Sequence, residues 1–78
     1  MHLQILTPEE SLFDGEAAAV QLPGEDGSFE ILNQHAPMIA SLSNGRVRVK
    51  FKDQAEPQYF AVDSGFVEVL DNNVVVLV

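Results

Sequence analysis

Polar and apolar residues alternate without a break from Arg46 to Lys52: Arg46, Arg48, Lys50 and Lys52 occupy one set of positions, Val47, Val49 and Phe51 the other. Strict period two puts each set on its own face of a β-strand, apolar toward a core and basic toward solvent. Shorter segments rich in apolar and β-branched residues predict further strands at Leu3–Leu6, Ala17–Leu22, Ser28–Leu32, Met38–Leu42, Gln58–Val62, Phe66–Leu70 and Val74–Leu77. Turn signals divide them at Asp14-Gly15, Pro23-Gly24, Asn44-Gly45, Ser64-Gly65 and Asp71-Asn72-Asn73. Asn-Gly tolerates the positive φ of a type I′ turn, so Asn44-Gly45 predicts a tight hairpin from Leu42 into the Arg46 strand. Asp53 to Pro57 reads as a looser hairpin end. Thr7-Pro8-Glu9-Glu10 has the form of a capped helix start, but Gly15 follows too soon for a stable helix. A single turn or irregular bend between two strands is expected there.

Frequent turns and short strands favour an all-β sandwich or flattened barrel. No repeat, linker or low-complexity tract divides the chain, so residues 1–78 are read as one domain. A chain of 78 residues buries only about 60–65% of its unfolded surface, so the core must be thin. With 46% hydrophobic and 21% charged residues the composition is that of a globular domain. The apolar run Val74–Val78 is far shorter than the about 20 residues of a membrane helix. Met1-His2-Leu3-Gln4 does not open a secretory signal, which makes a cytosolic compartment the default. The absence of cysteine excludes disulfides and thiolate metal sites.

Charge narrows the function classes. A net charge of −8 opposes nucleic-acid binding, which needs a basic surface. All four cations lie on the one alternating segment, and 12 carboxylates are available to pair with them. That favours a solvated strand face over an anion-binding surface. Catalytic patterns are scarce. His2 and His35 have no zinc-type spacing, and no serine sits in a G-x-S-x-G elbow. The acid pairs Glu9-Glu10 and Glu25-Asp26 fall in turn-like polar contexts. Gly24 and Gly27 flank those last two acids with no lysine after them, which opposes a phosphate cradle. No cofactor or metal is expected.

The ordered series Leu22-Pro23-Gly24-x-x-Gly27-x-Phe29, His35-Ala36-Pro37, Arg46-Val47-Arg48-Val49 and Ser64-Gly65-Phe66-Val67-Glu68-Val69 resembles the N-terminal β-sandwich domain of the epsilon subunit of F-type ATP synthases. The likeness runs from Leu3-Gln4-Ile5-Leu6-Thr7-Pro8-Glu9 to Val74-Val75-Val76-Leu77 and covers essentially the whole chain. It implies an all-β, flattened β-sandwich of about ten short strands in two sheets. It also implies a non-catalytic rotor component of a proton- or sodium-translocating complex, monomeric when isolated, that links the gamma subunit to the c-subunit ring. The implied location is peripheral, on the cytoplasmic face of a bacterial inner membrane.

By the same resemblance the ring-facing loops correspond to Ser28, Glu30, His35, Ala36, Pro37 and Met38. A proline-set corner between strands can present contact residues with little ordering on binding. The plain alternative for His35 is a corner residue whose imidazole satisfies a local backbone group. Val74–Val78 and Phe66-Val67 with Val69-Leu70 are apolar on both faces, and Phe66, Val67 and Val69 are the gamma-facing candidates, because a permanent contact favours apolar surface; the alternative is a strand covered on both faces by the sandwich itself. The chain departs from the family pattern in several places. Asn33-Gln34 replace a proline-glycine pair, Ser28 stands where an acid is common, and Glu30 and Ser64 stand where glycine is common. Glu25, Asp26 or Glu30 is expected to supply the displaced negative charge. The family's two-helix C-terminal domain has no counterpart up to Val78, so inhibition through such helices is not expected of these residues.

Other classes fit less well. A biotinyl- or lipoyl-type carrier needs a modifiable lysine at a hairpin tip, whereas Lys50 and Lys52 are read within a strand. A small barrel enzyme needs convergent titratable groups. An oligonucleotide-binding barrel needs basic and aromatic residues on one face. A protein-interaction domain unrelated to ATP synthase is the remaining alternative.

Overall fold

The computed structural model describes all 78 residues and contains only strands, turns and bends. Nine strands follow in chain order: β1 (His2–Leu6), β2 (Ser11–Glu16), β3 (Ala19–Gly24), β4 (Gly27–Leu32), β5 (Met38–Leu42), β6 (Gly45–Lys50), β7 (Gln58–Val62), β8 (Gly65–Leu70) and β9 (Asn73–Leu77). The alternation seen in the sequence is realised residue by residue. Val47 and Val49 are fully buried while Arg46 and Lys50 are exposed and Arg48 is half-buried. Leu3 and Ile5 of β1, Val67 and Val69 of β8, and Val74 and Val76 of β9 point into the same core. Only 16 of the 78 residues are buried and none of them is polar, so this thin core holds no side chain needing an internal hydrogen-bond partner.

The ladder runs β2-β1-β9-β8-β5-β3-β6-β7, with β4 added to β3. All pairings are antiparallel except β1 with β9. A single flat layer of sheet takes up only about 10 Å in its thin direction, the usual spacing of stacked sheets. The molecule measures 29 × 24 × 23 Å, so the sheet must curl. Aromatic contacts close the curl: Phe13 of edge strand β2 meets Phe60 of edge strand β7 at 5.9 Å and Phe51 at 5.8 Å between ring centroids. The sandwich expected from sequence is thus two facing sides of one nine-stranded curled sheet.

The two sides are joined where β5 passes into β6. Both run antiparallel to β3, with Leu42 opposite Gly24 and Arg48 opposite Gln21. Ser43–Gly45 is therefore a kink in one long strand and not the tip of the expected hairpin. β5 pairs with β8, and neither Asn44 nor Gly45 has a positive φ. Gly45 answers a different need. A Cβ there would lie 2.7 Å from the Pro23 Cβ, so only glycine lets the kink approach β3. Ser43 N–H donates to the Pro23 carbonyl at 2.8 Å and Glu25 N–H to the Ser41 carbonyl at 3.0 Å, which fixes the crossing.

Other turn signals moved in the same way. Pro23-Gly24 ends β3, and the turn itself is Glu25-Asp26, with Gly27 taking the positive φ of 124°. Asp14-Gly15 lies inside β2, opposite Gln4 and Leu3. The left-handed pair of a type I′ turn is Asp71-Asn72, φ 51° and 60°, between β8 and β9. Thr7 makes the expected turn: its Oγ1 accepts from the N–H groups of Glu9 and Glu10 at 3.2 and 3.0 Å. The strand that follows is β2, starting at Ser11. Lys52 lies past the end of β6, in a bend.

Candidate functional site

The corner between β4 and β5 is built from residues that sequence alone ranked as departures. Asn33 Oδ1 accepts a hydrogen bond from the Met1 ammonium group, which also donates to the Ala17 carbonyl at 3.0 Å. Gln34 adopts φ 63°, a left-handed conformation that a residue with a Cβ rarely takes. Its N–H donates to Asn72 Oδ1 at 2.8 Å. His35 Nδ1 lies 2.7 Å from the Ala36 carbonyl oxygen, a bond that requires the proton on Nδ1. The plain alternative for His35, satisfying a local backbone group, is thus met by geometry. Ala36 and Pro37 are exposed; His35 and Met38 are half-buried.

Ser28 and Glu30 stand elsewhere, on the outward side of β4. Ser28 Oγ accepts from Gln21 Nε2 at 3.2 Å, and Glu30 lies 3.8 Å from Arg48, two strands away across β3. An open depression of about 490 Å³ brings Ser28 together with Met38, between the Glu25-Asp26 turn and β5. Met38 also lines a second, largely apolar depression of about 360 Å³ with Pro37, Ile39 and Leu70. Met38 therefore links the corner to both. Glu30, paired with Arg48, lines neither. Glu25 and Asp26 do line the first, which makes them the better placed of the three acids expected to face a partner.

Of the residues expected to face gamma, the structure leaves only Phe66 on the surface. Phe66 is 57% exposed, whereas Val67 and Val69 are 0% and 2% exposed and belong to the core. The reason is the pleat: residues one apart on β8 point to opposite faces. The outward set also takes in Leu70 and Leu77, which lie in the segments the sequence marks as apolar on both faces, and Ile39, which it does not mark; each is at least half exposed. Phe66 is directly opposite Leu77 in the β8–β9 ladder. The signal was present in the unbroken apolar run of β9 and the doubly apolar β8; Ile39 had none.

No arrangement for bond chemistry accompanies these surfaces. No group of three histidine, cysteine or acidic residues converges on a metal-sized site. His2 lies 2.9 Å from Asp14 and 4.0 Å from Glu16 on the open outer face of β1 and β2. The basic stripe is partly engaged within the molecule, Arg46 over the Tyr59 ring at 4.5 Å and Arg48 beside Glu30.

Comparison with known proteins agrees with this picture. The family model described as the ATP synthase delta/epsilon chain beta-sandwich domain matches residues 1–78. The ATP synthase epsilon chain of Chlorobium limicola is 41% identical over 96% of this chain and 84% of its own. That of Herminiimonas arsenicoxydans is 42% identical over 99% of this chain, which spans about half (55%) of that relative's length. Among solved structures, a chain of the Euglena gracilis mitochondrial ATP synthase superposes with a TM-score of 0.88 at 21% identity, covering 96% of this chain and 48% of that one. A chain of the central stalk and c-ring structure of the Tetrahymena thermophila mitochondrial ATP synthase gives 0.83 at 17%, covering 97% and 60%. With the fold matched and the family model spanning every residue, the chain belongs to the ATP synthase delta/epsilon chain beta-sandwich domain family.

Proposed function

We propose that residues 1–78 act as a non-catalytic rotor domain of an F-type ATP synthase, joining the gamma subunit to the c-ring and helping couple proton or sodium flow to ATP synthesis. The single observation that carries this reading is the family match over the whole chain. The surfaces support it. A docking domain needs an apolar patch for a lasting contact, and Phe66, Leu70, Leu77 and Ile39 provide one on the β5-β8-β9 side. It also needs contact residues held in place beforehand, and the 33–37 corner is tied by side chains to the Asp71-Asn72 turn and to the first residue.

In this reading gamma covers the Phe66 patch, while the c-ring loops meet Ser28, Glu25, Asp26 and the His35–Met38 corner. The domain sits peripherally at the cytoplasmic side of a bacterial inner membrane. No helix of the chain is long and apolar enough to cross it. Phe66→Ala tests the gamma surface. Truncating a central exposed aromatic is expected to weaken gamma binding by about tenfold or more. The same change should cost no more than about 1 kcal/mol of stability, since the ring is more than half exposed and what it loses is mainly its cross-strand contact with Leu77. Titration calorimetry with purified gamma reads the first and urea unfolding the second; unchanged affinity removes the Phe66 patch from the gamma contact.

A further inference from the structure

We infer that Asn72 is the positioning residue of the His35-Ala36-Pro37 corner, a clamp that reaches it from the opposite end of the sequence. Residues 33 and 34 form a turn after β4, and none of the main-chain hydrogen bonds that link separate parts of the chain outside the strands involves residues 33 to 37. Side chains therefore tie the corner to the rest of the fold, and the contact that reaches its main chain from a distant part of the sequence is Asn72, whose Oδ1 accepts from Gln34 N–H at 2.8 Å. Gln34 is the residue that most needs holding. At φ 63° its Cβ makes the left-handed conformation unfavourable, yet that conformation sets the direction in which the chain enters His35. Asn72 is itself well fixed. It is the second residue of the left-handed Asp71-Asn72 pair, it is half-buried, and its carbonyl accepts from His2 N–H at 3.1 Å. One residue thus ties together the start of β1, the β8–β9 turn and the corner.

The inference rests on the proposed contact between the corner and the c-ring, and its test separates the two. Asn72→Gly is the informative variant, because glycine suits φ 60° and keeps the turn while deleting only the acceptor. Hydrogen exchange at the Gln34 amide should accelerate roughly two- to tenfold, the range expected for loss of one net hydrogen bond. Affinity for purified c-ring carrying gamma should fall by a similar factor, with the thermal midpoint shifted by only a few degrees. Asn72→Asp keeps an acceptor oxygen at that place and should restore both readings. Unchanged exchange at Gln34 in N72G overturns the clamp. Faster exchange with undiminished ring affinity, while Pro37→Gly does weaken the ring complex, overturns the positioning role. If neither N72G nor P37G changes ring affinity, the corner is not the ring contact, and faster exchange at Gln34 still upholds the clamp.

Discussion

Gly65 begins β8 with φ 156°, and a Cβ built on it would sit 2.1 Å from the Leu77 carbonyl oxygen of the neighbouring strand. Gly27, at φ 124°, has nothing within 4 Å of the same position. The two separate collision from backbone strain. Gly27→Ala should cost about 1–2 kcal/mol through φ alone. Gly65→Ala should cost more, about 3 kcal/mol, because the β8–β9 ladder must also give way. Urea midpoints measure both, and with a slope of about 1 kcal/mol per molar for so small a chain the difference is a molar or more. A smaller loss at Gly65 than at Gly27 would show that β9 yields easily. At this scale the sequence was only partly legible. Glycine announces that a side chain is unwelcome but not whether φ or a neighbour forbids it, which is why Gly45, packed on Pro23, passed for a hairpin residue. The bond from Gln34 to Asn72 was invisible for a related reason: it joins residues 38 apart through a side chain common in turns for local purposes.

β3 is the element on which the others depend, since it pairs with β4 and β6 and meets β5 at Gly24. Its inward residues Val20 and Leu22 are fully buried. Leu22→Ala is expected to destabilise the domain by about 2–5 kcal/mol, a large share of what so small a fold possesses. Circular dichroism melting should show loss of the whole transition and not of one hairpin, because the join between the two sides of the sheet passes through this strand. By contrast Glu30→Gln should cost less than about 1 kcal/mol. Its pair with Arg48 is at 3.8 Å, and both side chains are about a third or more exposed. Strands whose apolar residues alternate, such as β6 and β8, could be read directly from the chain. β2 could not: Asp14-Gly15 has the composition of a turn, and only pairing with β1 makes it extended. Which strands pair was equally hidden, because the departure of β5 from β6 toward β8 is decided by packing across the core.

For the whole molecule, curling brings the edge strands β2 and β7 together through Phe13 and Phe60 and leaves the Phe66 patch outside. The family likeness was legible from the order of motifs, and the family model bears it out over all residues. The surfaces were less so. Val67 and Val69 could be separated from Phe66 only once the sheet showed which face was covered. On the proposed function this domain is a linker with two separable docking surfaces, the Phe66 patch and the His35–Met38 corner. The most direct measurement is sizing-column assembly of the chain with purified gamma and then with c-ring, comparing Phe66→Ala and Pro37→Gly. The expected result is a one-to-one complex with gamma that Phe66→Ala weakens and Pro37→Gly leaves intact, followed by ring binding that Pro37→Gly weakens. Failure of the unaltered chain to bind gamma, or equal effects of both substitutions at both steps, would contradict it.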